Sequence, residues 1–163
     1  MSEERIDEIK KKIYSSFSNT ASSIGYDEIH GRIIAALILN DSEMSLQKLS
    51  EETGYSSSSI SLSLDLLEVL GIIKKVKKQG DRKLYVKMEG SILQGLKQAV
   101  LIQLQGTISS TLESLREQKE QLEGMQGEDS EKVLEGMRTL NKEMERLEKY
   151  VNKLAEVKIP NND

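Results

Sequence analysis

Apolar positions repeat with a helical period over most of the chain and change to a strand-like pattern between residues 72 and 88. Ile6, Ile9 and Ile13 recur at spacings of three and four, with Phe17 one turn on. This predicts a first helix from residue 4 to about 17. The small, polar stretch 18–25 (SNTASSIG) reads as its end or a linker. Residues 26–39 (YDEIHGRIIAALIL) are apolar on most faces, the pattern of a helix buried in a domain core. Asn40, Asp41 and Ser42 break it.

Two short amphipathic segments follow. Ser45 is placed to cap a helix carrying Leu46 and Leu49, which Gly54 ends. Serines 56–59 then open a stretch with Ile60, Leu64 and Leu67 at i, i+4 and i+7, closed by Gly71. Two short helices joined by a tight glycine-containing turn predict a helix-turn-helix. The period then changes. IIKKVKK and KLYVKM are rich in β-formers and flank QGDR, which predicts a hairpin over 72–88 with a short glycine-bearing loop. A hairpin directly after the second helix stands where a wing belongs.

Helical periodicity returns from Ser91 to about Val157, broken at 124–130 (GMQGEDS). Met137, Leu140, Met144, Leu147, Val151 and Leu154 alternate at spacings of three and four, a heptad seam. A thin helical hairpin of this length needs a partner to cover it, and an identical subunit is the commonest one. Ile6, Ile9, Ile13 and the six seam residues are therefore the expected homodimer interface. An intramolecular hairpin packed on the first two helices is the alternative. The expected fold is mainly α with a small β-hairpin wing: a winged helix-turn-helix domain over 1–90, a helical coiled-coil dimerisation region over 91–157 and a disordered tail over 158–163.

Charge sharpens this picture. The chain carries a net −4, yet Lys74, Lys75, Lys77, Lys78, Arg82, Lys83 and Lys87 face one anion, Asp81, within the hairpin. A compact basic element on an acidic body points to nucleic acid. In a helix-turn-helix the second helix enters the major groove by its N-terminal part. Here that part carries Ser57, Ser58, Ser59, Ser61 and Leu62. Serine hydroxyls both donate and accept, so they suit phosphates and base edges but discriminate weakly; Leu62 suits a thymine methyl or packing against another helix. The helix 56–70 holds no arginine or lysine, so bidentate guanine readout is not available from it. Arg82 at the loop tip suits a narrow minor groove, with Asp81 either orienting it or forming the turn. Lys77, Lys78 and Lys83 suit phosphates, and Ser45, Gln47 and Lys48 begin the helix that crosses the backbone.

With no cysteine and only His30 as histidine, neither a catalytic triad nor a Cys- or His-based zinc site is expected, and the sequence carries no phosphate loop or nucleotide fingerprint. No enzyme activity, metal or cofactor is expected. No apolar run approaches the roughly 18 residues a membrane helix needs, and residues 1–12 lack the core of a signal peptide, so a cytoplasmic protein is expected. Gly31 reads as a site of close helix crossing, His30 as a packing residue, and Arg32 as the partner of an acidic side chain in preference to DNA.

The segments GYDEIHGRIIAALIL, LQKLSEETGYSSSSISLSLDLLEVLGIIKKV and QGDRKLYV resemble the MarR superfamily of bacterial and archaeal regulators. The likeness is strongest to the GbsR-like branch, through the I-H-G-R-I helix and the G-D-R-K-x-Y wing. It covers about residues 24–90. It implies a dimer on a pseudo-palindromic DNA operator, with recognition helices in successive major grooves and wings over flanking minor grooves. Ser57 to Leu62 match the reading end of the recognition helix and Arg82 the wing-tip arginine. Where many relatives place cations on that helix, this chain has Leu62, Asp65 and Leu66. Some GbsR-like relatives respond to choline or related osmolytes. With no Trp, one Phe and five scattered Tyr, an aromatic cage is not expected, and any small-molecule effector is unspecified. The expected function is a sequence-specific transcriptional regulator, a repressor by family habit. The alternative is a winged-helix protein-interaction adaptor with a coiled-coil partner surface.

Overall fold

The computed structural model describes residues 2–125 and 127–160. Residues 161–163 of the predicted tail lie outside this range, as does Gln126 in the predicted break. Among the described residues the elements run in the order α1 (Ser2–Ser23), α2 (Glu28–Leu39), β1 (Glu43–Ser45), α3 (Leu46–Thr53), α4 (Ser57–Val69), β2 (Ile73–Lys77), β3 (Leu84–Met88), α5 (Ile92–Glu123) and α6 (Glu128–Glu156). The chain divides into two compact units, Met1–Ala99 and Val100–Asp163. Among the described residues, no helix is long and apolar enough to cross a membrane.

The first unit is a winged helix-turn-helix. Ser45 caps α3 by accepting the Lys48 N–H at 3.2 Å, and Ser56 caps α4 by accepting the Ser59 N–H at 3.2 Å. Gly54 (φ +77) turns the chain between the two helices. Gly71 (φ +70) ends α4 in a Schellman closure: the Ile72 N–H returns to the Leu67 carbonyl at 3.0 Å and the Gly71 N–H to Glu68 at 2.9 Å. Leu49, Ile60, Leu64 and Leu67 point inward, as their spacing predicts, and meet Ile33 and Leu37 of α2 with Ile73 and Val86 of the sheet.

Three features differ from the sequence expectation. The sheet has a third strand, β1, and its order is β1-β3-β2, antiparallel throughout. Met44 pairs with Val86, while Lys75 pairs with the same residue from the other side. Three residues are too short to show a period of two, so β1 leaves no local signal. The hairpin loop is also longer than expected, because the strands stop at Lys77 and Leu84. Finally, α1 runs on through the polar stretch to Ser23. Burial of Ala21 against the rest of the unit helps offset the weak helix propensity of this stretch, and the Thr20 and Ser23 hydroxyls are satisfied locally by the carbonyls of Ser16 and Thr20. Gly25 (φ +87) then ends the helix.

A polar network ties α1 to the helix-turn-helix. The buried Tyr14 hydroxyl donates to the Glu52 carboxylate. Asn40 Nδ2 donates to the Ala36 carbonyl at 2.8 Å, and Lys10 Nζ reaches Asn40 Oδ1 at 3.2 Å and Glu52 at 3.6 Å. Burial, then the bond to Glu52, pushes the Tyr14 hydroxyl up to about 12 from 10.0. The same bond holds Glu52 below the ordinary carboxylate range. An acid whose folded value is raised stabilises below its unfolded value, and that contribution is lost as pH climbs from 10.0 to about 12. We expect urea melts between about pH 9 and 12 to show an alkaline loss of stability in the wild type that is smaller in Tyr14→Phe. Identical alkaline limbs would contradict this.

In the second unit, α5 and α6 meet through Leu101, Ile108 and Val151, with Leu112, Met144 and Ala155 packed around them.

Candidate nucleic-acid interface

The exposed residues of α4 lie on one side of the helix. Ser58, Ser61, Leu62, Asp65 and Val69 follow helical spacing and all face solvent, Leu62 at 76% and Val69 at 79% exposure. Leu62 thus projects outward and packs on no other helix among the described residues. The sequence pattern does not single out Val69, since its position relative to the core depends on where the helix ends. Ser57 is exposed as well. The Ser58 and Ser59 hydroxyls both touch Ser56 Oγ, at 3.0 and 2.8 Å, so the serine run forms a cap cluster whose hydroxyls remain at the surface. Gln47 and Lys48 are exposed on the first turn of α3, with Gln47 Nε2 donating to Glu51 at 3.1 Å. Ser45, half-buried, has its hydroxyl committed to the cap.

The wing tip is a built turn. The Asp81 N–H donates to the Lys78 carbonyl at 3.1 Å, with Gly80 at φ +80 supplying the left-handed residue that only glycine adopts without strain. Asp81 Oδ1 accepts the Lys83 N–H at 2.9 Å and Oδ2 accepts the Tyr85 hydroxyl at 2.9 Å. Both bonds favour the charged carboxylate and hold Asp81 below its usual range. Asp81 therefore shapes the turn, and Arg82 beside it is exposed with no ion pair or hydrogen bond among the described residues.

The seven wing cations separate into two groups. Lys78 Nζ sits 2.5 Å from Glu43 of β1 and 4.0 Å from the centroid of the Tyr85 ring. Its ammonium is held above, and Glu43 below, the ordinary range by that contact. Lys75 binds Asp65 and Glu68 of α4, and Lys74 lies 3.7 Å from Glu89. Lys77, Arg82, Lys83 and Lys87 form no ion pair among the described residues and are exposed. The positive surface offered outward is thus smaller than the sequence count; Lys77, Arg82 and Lys83 lie at the tip, and Lys87 lies back along β3 opposite Lys74. Lys78, expected at phosphates, is engaged by a carboxylate that the unforeseen strand brings in.

Arg32 is also placed differently from expectation. Its guanidinium donates to the Thr53 carbonyl at 3.3 Å, at the end of α3, and lies 5.8 Å from the centroid of Tyr55, so a helix C-terminus takes the role expected of a carboxylate. His30 is buried, with Nδ1 3.1 Å from the Asp27 carbonyl and its ring edge-on to Tyr26.

Of the residues expected to pair subunits, Ile6 and Ile9 are half-exposed on α1, whereas Ile13 packs against the core of the first unit. The seam of α6 divides by heptad position. Met137 is half-buried, and Met144 and Val151 join the cluster on α5; Leu140, Leu147 and Leu154 are 56%, 41% and 38% exposed.

The fold and these surfaces define the winged-helix class. No family model and no curated protein matches the chain. Among solved structures, it is similar to one described as a transcriptional regulator, with a TM-score of 0.58, 15% identity and coverage of 90% of this chain and 95% of that one. It also aligns with an organohalide-sensing transcriptional regulator solved in its ligand-free form, with a TM-score of 0.41, 18% identity and coverage of 98% and 86%.

Proposed function

We propose that this protein is a dimeric, sequence-specific DNA-binding transcriptional regulator, a repressor by the habit of the MarR superfamily it resembles. The N-terminal turns of α4 enter the major groove, and the wing tip reaches the adjacent minor groove. The observation that carries this reading is Arg82, exposed and without an ion pair among the described residues, on a built turn flanked by Lys77 and Lys83, together with a serine-lined N-terminal end of α4. The solved neighbour of similar fold, itself described as a transcriptional regulator, supports it. Ser57, Ser58, Ser59, Ser61 and Leu62 touch base edges and sugar-phosphate, Gln47 and Lys48 the backbone, and the lysines supply affinity without sequence information. Leu140, Leu147 and Leu154 of α6, with Ile6 and Ile9, face the second subunit.

A gel shift on the gene's own upstream region at two salt concentrations tests the reading. Specific binding that weakens steeply with salt is expected; no binding at low salt would sink it. Light scattering tests the dimer separately, and a monomer at micromolar concentration would refute that part.

One observation favours a second reading, a protein-interaction adaptor. The outward face of α4 beyond Leu62 holds Asp65, Glu68 and the exposed Val69, and no cation. A protein that binds no duplex at low salt but retains its fold would support it.

A further inference from the structure

Every cation of the wing lies on or between β2 and β3, and the recognition helix answers with carboxylates. Asp65 and Glu68 are exposed on α4, their side chains 68% and 42% accessible, and both bind Lys75 Nζ of β2, Glu68 at 3.5 Å. Glu68 does more than pair a charge. Its Oε1 also accepts the Lys75 backbone N–H at 3.1 Å, so it fastens the wing to the helix. Asp65 touches only the end of the lysine, and it stands one turn beyond Leu62 on the face that the DNA-binding reading turns toward the groove.

We propose that Asp65 and Glu68 form an acidic clamp that suppresses sequence-independent binding to DNA. The inference rests on the DNA-binding reading above. It follows from two electrostatic effects. The clamp takes Lys75 out of the set of cations available to phosphates, and it places two negative charges beside the duplex, in every register alike. A penalty that ignores sequence lowers all complexes equally. It leaves the ratio of operator to random affinity unchanged but lowers the population of random complexes, while the operator, through the contacts of the serines, Leu62 and Arg82, keeps enough affinity to bind. Glu68 is in addition a positioning residue for the wing.

Fluorescence anisotropy with a random-sequence duplex at two salt concentrations tests the clamp in the full-length protein. The variants are Asp65→Asn and the double variant Asp65→Asn/Glu68→Gln, in which the amide oxygen introduced by the second substitution can still accept the Lys75 N–H. At low salt, affinity for random duplex is expected to rise roughly 2- to 3-fold per carboxylate removed, judged from Coulomb interaction across solvent at the groove. In the double variant the slope of log affinity against log salt should steepen by up to about one counterion, and Lys75→Met on that background should reverse the steepening. If wild type binds duplex and Asp65→Asn, with an unchanged melting temperature, binds random duplex no better, the clamp is overturned and the DNA-binding reading stands. If the wild type binds no duplex at low salt, both fall. Should the double variant melt early, Asp65→Asn alone decides, because Asp65 holds no backbone of the wing.

Discussion

Replacing Arg82 with alanine is expected to lower duplex affinity about tenfold while leaving the melting temperature unchanged, the loss of a single guanidinium contact worth about 1–3 kcal/mol. The thermal expectation follows from its surroundings: Arg82 is exposed, and its neighbour Asp81 spends both oxygens on Lys83 and Tyr85. Surface substitutions of this kind fall within about 0.5 kcal/mol. Losing one phosphate- or groove-bound cation should also reduce the salt slope by about 0.9. Arg82→Lys should restore much of the slope and less of the affinity, because an ammonium keeps the charge but loses the planar fork. Gel shifts at two salt concentrations with a parallel thermal melt read all three quantities. Full affinity in Arg82→Ala would remove the wing tip from the interface.

Gly31→Ala is expected to have the largest effect on stability. A Cβ built at Gly31 would lie 2.9 Å from the Ser18 nitrogen and closer still to the Phe17 carbonyl. These are backbone atoms of α1 and cannot swing aside as a side-chain tip would. The two helices must separate, which opens the contact around Phe17, Ser18 and Ala21 and strains the link from Tyr14 to Glu52. Overpacking of well-packed cores costs about 1–3 kcal/mol, and a clash with backbone belongs at or above the upper end. For a unit of this size about 3 kcal/mol lowers the melting temperature by roughly 12–24 °C. Calorimetry or a circular-dichroism melt decides it. A drop of less than about 4 °C, the effect of roughly 1 kcal/mol, would mean that the α1–α2 crossing is looser than described.

These two residues mark how unevenly the site is legible in the sequence. Arg82 can be singled out from composition, because a turn signal and a run of cations lie together in the chain. The caps at Ser45 and Ser56, the stop at Gly71 and the inward set Leu49, Ile60, Leu64 and Leu67 are also local, and they appear where their spacing places them. Gly31 is legible as a crossing site, but not which carbonyl it meets.

The remainder depends on residues far apart in sequence. β1 exists only because Glu43–Ser45 finds the open edge of β3, and with it comes the carboxylate that engages Lys78. The clamp on Lys75 joins positions seven and ten residues apart, across a helix end and a turn. Arg32 reaches Thr53 twenty-one residues away. A count of wing cations therefore overstates the exposed charge, because formal charge adds along the chain whereas potential depends on what lies opposite each group in space.

The heptad of α6 shows the same division. Spacing alone specified a helix with an apolar seam, since the i, i+3, i+4 pattern follows from 3.6 residues per turn whatever the partner. Packing then assigned Met144 and Val151 to α5 and left Leu140, Leu147 and Leu154 open, because burying apolar area is non-directional and the nearest apolar surface covers whichever half of the seam it reaches. Local propensity and period thus specified the winged helix-turn-helix and its caps. Which charges pair, which apolar stripe stays uncovered and how far α1 extends were settled by contacts between elements, whose energies no single stretch of the chain contains.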